Sequence, residues 1–220
     1  MITRIAALAA CLLAAGTASA FELTGGDAAL SGAIGDRSYG QAQTDLSVGL
    51  FGNIGTQINL RQRVYSNGDT SPLGEAHLTY SLPVGISAGL FWGNEYLGDS
   101  YAYRGLEVAG VTGALSYDVA FSKYHGDGGA FRANYLTIDG KYAINDRLAV
   151  TGGYHTATGD ELYYYAGAEY GLQDNLLLTG GYGYMDASAK QGVLNLGVSY
   201  RFGNGPLFKS RSRGDAIVGQ

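Results

Sequence analysis

The sequence predicts an all-β fold: a transmembrane, antiparallel, up-and-down β-barrel. The strongest evidence is the strict alternation of residues 194–202, where five apolar side chains alternate with four small or polar ones. A strand with a period of two places these sets on opposite faces. Shorter alternating runs recur along the chain between turn residues. Beyond the first 20 residues no apolar run reaches 18 residues, so a helical membrane protein is excluded.

Composition agrees with this fold class. The chain has 36 glycines and 18 tyrosines but only 3 prolines and 2 methionines. Its mean hydropathy of −0.02 is near neutral. This is expected when lipid-facing and lumen-facing residues alternate along each strand. About 200 residues after the leader described below suggest one domain.

The first 20 residues have the pattern of an export signal. Residues 1–4 form a short basic start, residues 5–16 an apolar core, and residues 18–20 a small-residue cleavage site. The segment is too short to span a bilayer, so we expect cleavage and a mature chain that begins at Phe21. Cys11, the only cysteine, lies in this leader. Disulfides and cysteine-ligated metals are therefore excluded from the mature chain.

The charge balance excludes one class of partner. Loss of Arg4 with the leader leaves 13 basic against 19 acidic residues. A chain this acidic is not a nucleic-acid binder. No cofactor and no metal are predicted, because aspartates in the predicted loops are usually solvated turn residues.

Short turns alternate with longer polar segments, which is the hairpin pattern of a membrane barrel with its turns on the periplasmic side. The short turns are residues 53–56, 82–85, 111–113, 145–146 and 173–175, and the longer segments are 66–74, 97–100, 126–132, 157–160 and 186–192. We predict twelve strands, with ten as the alternative, because single-chain bacterial barrels have an even number. They lie near residues 28–35, 45–52, 57–65, 74–82, 85–96, 101–110, 114–125, 133–144, 147–157, 161–172, 175–186 and 193–202.

In these predicted strands every second residue is mostly apolar, and this set of side chains is predicted to face lipid. Tyrosines near the strand ends suggest an aromatic girdle, since their rings are apolar and their tips polar. A soluble β-sandwich also alternates and is the alternative. The opposite parity supplies the predicted lumen-lining residues Asn59, Arg61, Arg63, Glu75, His77, Glu107, Asp118, Asp139, Lys141, Glu169 and Arg201.

Two hypotheses follow for this inner face. Arg61 and Arg63 stand on one predicted strand, and Glu75 and His77 on the next, so a cross-strand ion-pair ladder is plausible. Ion pairs and tyrosines that fill the lumen would leave a structural barrel. A narrow water-filled pore is favoured, because small lumenal residues are abundant and twelve strands lie between a filled and an open barrel.

The last predicted strand contains Asn195, Gly197, Tyr200 and Phe202 in the order polar residue, glycine and two aromatics spaced by one. This motif resembles the closing-strand signal of Gram-negative outer-membrane β-barrels. The resemblance implies a location in the cell outer membrane, with the lipid bilayer and the barrel-assembly machinery as partners.

Length, strand number and a basic lumenal track of Arg61, Arg63, Lys141 and Arg201 also resemble the small twelve-stranded porins for acidic oligosaccharides. That resemblance implies a narrow channel for passive diffusion of small hydrophilic solutes. The chain is similar in size and style to uncharacterised proteobacterial barrel families as well, and this second likeness implies no activity.

No catalytic residues are predicted, and a hydrolase is the less favoured alternative. His125 with Asp127, and His155 with Asp160 and Glu161, lie at predicted outer strand ends, where an acid–histidine rim site is possible. The chain contains no His-x-Ser pair. We therefore predict that the protein is not an enzyme.

The predicted domain order is a leader at 1–20, a barrel at 21–202 and a flexible periplasmic tail at 203–220. The tail has Lys209, Arg211 and Arg213 against Asp215 within a stretch that contains glycine and serine. A disordered tail is one interpretation. A periplasmic tether or a partial plug of the lumen is the other.

Overall fold

The protein forms a closed barrel of twelve antiparallel strands. The computed structural model describes residues 22–35, 38–96, 98–126, 132–158, 161–186 and 190–211. The strands are β1 (Glu22–Ile34), β2 (Tyr39–Phe51), β3 (Ile54–Tyr65), β4 (Thr70–Ser81), β5 (Ile86–Tyr96), β6 (Ser100–Thr112), β7 (Leu115–Gly126), β8 (Arg132–Ala143), β9 (Leu148–Ala157), β10 (Glu161–Gly171), β11 (Leu176–Asp186) and β12 (Gln191–Gly203).

Each strand pairs with its neighbours in the chain, and β12 pairs with β1 to close the barrel. In that closing ladder Ala28 lies opposite Tyr200. Strands of 10 to 13 residues suit a tilted crossing of the hydrocarbon layer. The predicted fold class and the even strand number are confirmed.

Several strands are longer than predicted, and the connections are correspondingly shorter. β1, β2 and β4 begin at Glu22, Tyr39 and Thr70 instead of near residues 28, 45 and 74. Connections of two to four residues join strands at the end that holds both chain ends, hereafter the terminus end. Those at the opposite end, the loop end, have three to five residues. The difference in length between turns and loops is therefore smaller in the structure than the sequence predicts.

The outer surface is apolar, as the alternation predicts. Large apolar side chains exposed on it include Leu30, Leu78, Leu90, Trp92, Leu106, Phe121, Ile138, Tyr164, Leu178, Leu196 and Tyr200. Such a belt is the surface that a membrane barrel presents to lipid. Among the described residues, no helix is long and apolar enough to cross a membrane.

Not all tyrosines lie on this surface, which corrects the girdle prediction in part. The tyrosines buried inside the barrel are Tyr39, Tyr103, Tyr124, Tyr135, Tyr163 and Tyr165. Most lie in the half of the barrel next to the loop end, where Leu73, Phe91, Tyr103, Tyr124 and Tyr135 form one apolar cluster. Their parity places them inside, because each shares it with the lumenal polar residues of its own strand.

Candidate functional site

The lumen contains the residues that the sequence analysis placed on the inner face. The fully or nearly fully buried ones are Asn59, Arg61, Arg63, Glu75, His77, Glu107, Asp118 and Asp139. Lys141, Glu169 and Arg201 share this face, and their side chains are partly exposed. The inner surface divides into a packed sector and a sector with free space.

In the packed sector the two β3 arginines bind partners other than the predicted ones. Arg61 donates to Glu95 Oε1 at 2.8 Å, and neither side chain is exposed. Arg63 donates to Gln41 Oε1 from Nε at 3.0 Å and from Nη2 at 2.7 Å. Its guanidinium also lies 4.5 Å from the centre of the Tyr39 ring. The sequence analysis paired these arginines with β4, whereas the contacts above join Arg61 to β5, past the adjacent strand, and Arg63 to β2.

His77 lies at the centre of a buried acidic network. Its Nε2 is 2.7 Å from Glu75 Oε1, and its Nδ1 is 2.5 Å from Glu107 Oε1. Asn59 donates to Glu75 Oε1 at 2.9 Å, and Tyr103 donates to Glu75 Oε2 at 2.7 Å. These contacts meet the requirement that buried carboxylates be hydrogen-bonded and balanced by charge.

Residues 204–211, hereafter the C-terminal segment, fold back into the lumen. Gly203 and Gly205 have φ values of +57° and +72°, in the left-handed region that glycine adopts without strain. The Asn204 amide donates to the Thr24 carbonyl at 3.0 Å, which fixes the reversal at the terminus end. Phe208 is buried and stacks on the His77 ring at 5.9 Å between centroids.

Barrel side chains bind the main chain of this segment. Gln57 Oε1 accepts from the Leu207 amide at 2.8 Å and the Phe208 amide at 3.1 Å, and Gln57 Nε2 donates to the Phe208 carbonyl at 2.6 Å. Asp118 accepts from the Lys209 amide at 3.0 Å. The segment therefore occupies a groove whose polar groups match an extended peptide.

The two cations of the segment pair with lumenal acids. Arg211 contacts Glu107 at 3.2 Å and also makes an ion pair with Asp118. Lys209 Nζ lies 3.3 Å from Asp139 Oδ1 and donates to the Tyr165 hydroxyl at 2.7 Å. The sequence analysis expected a flexible periplasmic tail from residue 203. Through Arg211 the chain instead lies inside the barrel, because two glycines reverse it and buried carboxylates attract its charges.

The second sector of the lumen holds a cavity of about 160 Å³. It lies against β1, β2 and β9–β12, and Pro206, Phe208 and Lys209 of the C-terminal segment form its remaining wall. Its barrel lining is mostly small or polar: Asp27, Ala29, Ser31, Gln41, Gln43, Asp45, Thr151, Gly167, Ala168, Glu169, Thr179, Gly180, Gly181, Asn195, Ser199 and Arg201. Small residues leave this space because they do not reach the barrel axis.

Acidic groups outnumber basic ones around the cavity. Asp27 and Asp45 face each other across β1 and β2, and Oδ1 of Asp45 is buried without a hydrogen-bond partner. Arg201 lies 4.0 Å from both Asp27 and Glu169. Neither Arg61 nor Arg63 is part of the lining. The free space therefore has a different charge pattern from the predicted basic track.

The histidines of the hydrolase alternative do not converge. His125 is exposed on the outer surface, whereas His155 is buried in the lumen 3.2 Å from Asp139. Asp127 and Asp160 lie outside the described residues. Within the described ranges, no group of three or more His, Cys, Asp or Glu side chains has the arrangement of a metal site.

Residues 85–89 have the spacing Gly-x-Ser-x-Gly, a hydrolase motif that the sequence analysis did not use. In hydrolases this spacing places serine at a strand-to-helix turn. Here Ser87 lies within β5, and its hydroxyl is 3.0 Å from that of Ser81. The local structure is a continuous hairpin strand and not a nucleophile turn.

The closing-strand residues follow the alternation of β12. Asn195 and Gly197 face the interior, and Tyr200 is exposed on the outer surface. Phe202 packs over Gly26, its partner in β1. The predicted leader lies outside the described residues.

Comparison with known proteins identifies the fold. The sequence matches no protein-family model and no curated protein sequence. Among solved structures, the KdgM porin superposes with a TM-score of 0.65 at 14% identity, over 80% of this chain and 99% of the porin. The KdgM porin in complex with disordered oligogalacturonate gives 0.64 at 15%, with the same coverage. Omp33 of Acinetobacter baumannii gives 0.54 at 11%, over 82% of this chain and 99% of Omp33. The chain therefore has the barrel fold of outer-membrane porins.

Proposed function

We propose that this protein is a narrow outer-membrane channel through which small hydrophilic solutes diffuse passively. The observation that supports this most directly is the cavity between the C-terminal segment and β1, β2 and β9–β12, whose lining includes charged, amide and hydroxyl side chains. At about 160 Å³ it has room for several water molecules. Filling of the whole lumen by side chains would have favoured a purely structural barrel.

The cavity follows the barrel axis. Asp27 and Arg201 line it near the terminus end, and Ser31 and Asn195 line it closer to the loop end. Hydroxyl, amide and charged groups along this line can replace part of the hydration of a passing solute. The apolar outer belt supplies the complementary surface for the bilayer.

Charges around the cavity favour cations weakly. Asp27, Asp45 and Glu169 face Arg201 and Lys209 across the same space. Charges in a narrow passage act strongly on ions, because bulk salt screens them incompletely. Arg61 and Arg63 do not line the cavity, so we expect them to contribute little to selectivity.

Single-channel recording in a planar bilayer tests the proposal. Refolded protein should give ohmic current steps with a small cation preference. Glu169→Gln should move the reversal potential towards anions, because it removes a carboxylate from the lining. Asp174→Asn is the matched control, since Asp174 lies in an exposed turn. A folded barrel that gives no current in any of these forms would contradict the channel and favour the structural alternative.

The cellular part of the proposal has a separate test. The protein should fractionate with outer membranes, and its first residue should be Phe21 after leader cleavage. Depletion of the barrel-assembly machinery should lower the assembled form. Recovery of the native protein as a soluble periplasmic monomer would contradict this location.

A further inference from the structure

We propose that the C-terminal segment is a displaceable plug of the lumen, and that it occupies an acidic recess with affinity for guanidinium and alkylammonium groups. The recess is defined by Glu75, Glu107, Asp118 and Asp139. Only the effect of the plug on conduction rests on the proposed channel. The seating of the segment can be measured separately.

The recess lacks sufficient positive charge of its own. Its four carboxylates come from β4, β6, β7 and β8, and all four are buried. Asp118 and Asp139 are direct partners across β7 and β8, where like charges destabilise a pair. His77 lies against Glu75 and Glu107 on one side, and His155 lies against Asp139 on the other, so at most two histidines face four carboxylates. Burial of the remaining charge requires further cations.

Lys209 and Arg211 supply those cations. Arg211 Nε is 3.2 Å from Glu107, and its other nitrogens reach Asp118 and Asp139. Its guanidinium also lies 6.0 Å from the centre of the Phe91 ring, within the range of a cation–π contact. The recess therefore presents carboxylates and an aromatic face together, the surroundings that bind a guanidinium group well.

The seating is specific because the main chain is bound along with the charges. The Arg211 amide donates to Glu75 Oε2 at 3.0 Å, and the Tyr124 hydroxyl donates to the Arg211 carbonyl. Together with the Gln57 and Asp118 contacts, these bonds follow the segment from the terminus end to the tyrosines near the loop end. The segment thus crosses much of the lumen and narrows the path that remains beside it.

The same contacts allow release. The segment forms no strand, and side chains instead of a sheet ladder bind its main chain. In a hydrated lumen, water can replace such bonds at little net loss. Phe208 is the one large apolar side chain of the segment that is almost completely buried. A solute with guanidinium and ammonium groups can replace the two cations and leave the carboxylates paired.

Thiol labelling of Ser210→Cys measures the seating directly. Ser210 is 8% exposed, and the predicted mature chain has no other cysteine. In the otherwise unmodified protein the thiol should react slowly with a small maleimide. Addition of Lys209→Gln and Arg211→Gln should raise the rate about tenfold or more, because loss of a buried charge partner shifts such equilibria by factors of ten. Arg147→Gln, in an exposed turn, is the control and should leave the rate unchanged.

Agmatine, which has one guanidinium and one primary amine, is the probe for the recess. It should accelerate labelling of the Ser210→Cys protein more than potassium chloride does at equal ionic strength. Labelling is measured only on the folded fraction, which is identified by its migration on gels when the sample is not boiled. If the Lys209→Gln and Arg211→Gln form folds poorly, Asp118→Asn with Asp139→Asn removes the partners instead and should also release the segment.

The possible results distinguish the plug, the recess and the channel. Fast labelling of the Ser210→Cys protein without further change, or an unchanged rate in both release variants, overturns the plug. No difference between agmatine and salt overturns the recess as a binding site. Release in the labelling assay together with larger currents supports the plug within a channel, whereas release without current in any form supports the plug and contradicts the proposed channel.

Discussion

The buried ion pair between Arg61 and Glu95 gives the sharpest prediction about stability. Its atoms lie 2.8 Å apart, and neither side chain has any exposed surface. Arg61→Met removes this cation from beside the buried Glu95 carboxylate. Loss of one partner of a buried pair costs about 3–5 kcal/mol. Arg61→Met should therefore lower the free energy of unfolding by several kcal/mol.

A double substitution distinguishes the cost of a buried charge from the loss of side-chain packing. Arg61→Met with Glu95→Met removes both charges of this pair, and well-packed apolar replacements of buried pairs are often neutral or stabilising. We expect the double variant to recover most of the loss. Lys190→Met is the control, because Lys190 is 70% exposed and lies 3.8 Å from Asp186. Such exposed pairs contribute about 0–1 kcal/mol.

Reversible urea unfolding in lipid vesicles, followed by tryptophan fluorescence, measures all four proteins. The reasoning would be refuted if Arg61→Met lost no more stability than Lys190→Met. It would also be refuted if the double variant were as unstable as Arg61→Met, since the loss would then come from packing and not from the buried Glu95 charge.

Two further predictions concern the barrel wall. Tyr200→Ala should lower the yield of assembled protein more than Ser199→Ala, because Tyr200 lies on the lipid face and Ser199 in the lumen; equal yields on unboiled gels would contradict the assigned parity. Gly105→Ala should destabilise the barrel by about 1–3 kcal/mol, because its methyl group would meet the Phe121 carbonyl and the Phe91 ring. The control Gly40→Ala has open space and should be near neutral in the same urea titration.

The sequence predicted the fold class and strand number because period-two alternation survives wherever lipid requires an apolar face. It failed at strand starts where both faces are small or polar. In β2, Gln41 and Gln43 face the lumen beside Gly40 and Ala42, so no large apolar residue marks this part of the strand. These residues form a strand because they pair with β1 and β3, and the sequence of β2 alone does not show that pairing.

The contents of the lumen were predicted less well, for a different reason. Parity places Tyr103 on the same face as Glu107, but tyrosine is equally suited to a lipid interface. The partner of Arg61 lies two strands away, in β5, and depends on side-chain length and barrel curvature. In the sequence, the position of the C-terminal segment was indicated only by Gly203, Gly205 and the cations Lys209 and Arg211. Its position in the lumen depends on four carboxylates that come close together only in the closed barrel.

The high content of glycine and tyrosine has a common structural cause. Several aromatic rings lie over the glycine that pairs with them across adjacent strands: Phe91 over Gly105, Tyr103 over Gly93, Tyr117 over Gly110, Tyr165 over Gly153 and Phe202 over Gly26. A ring placed in this way covers bare backbone and needs a partner without a side chain. Tyr117 and Phe202 cover their glycines on the outer face. Inside the barrel the other three pairs bring rings close to the wall, so a lumen rich in aromatics still has room for a peptide segment and a cavity. A β-carbon at Gly153 would collide with Tyr165 and approach Asp139, the residues that bind Lys209. The glycines of the wall therefore determine where the lumenal rings lie, and through them the geometry of the acidic recess.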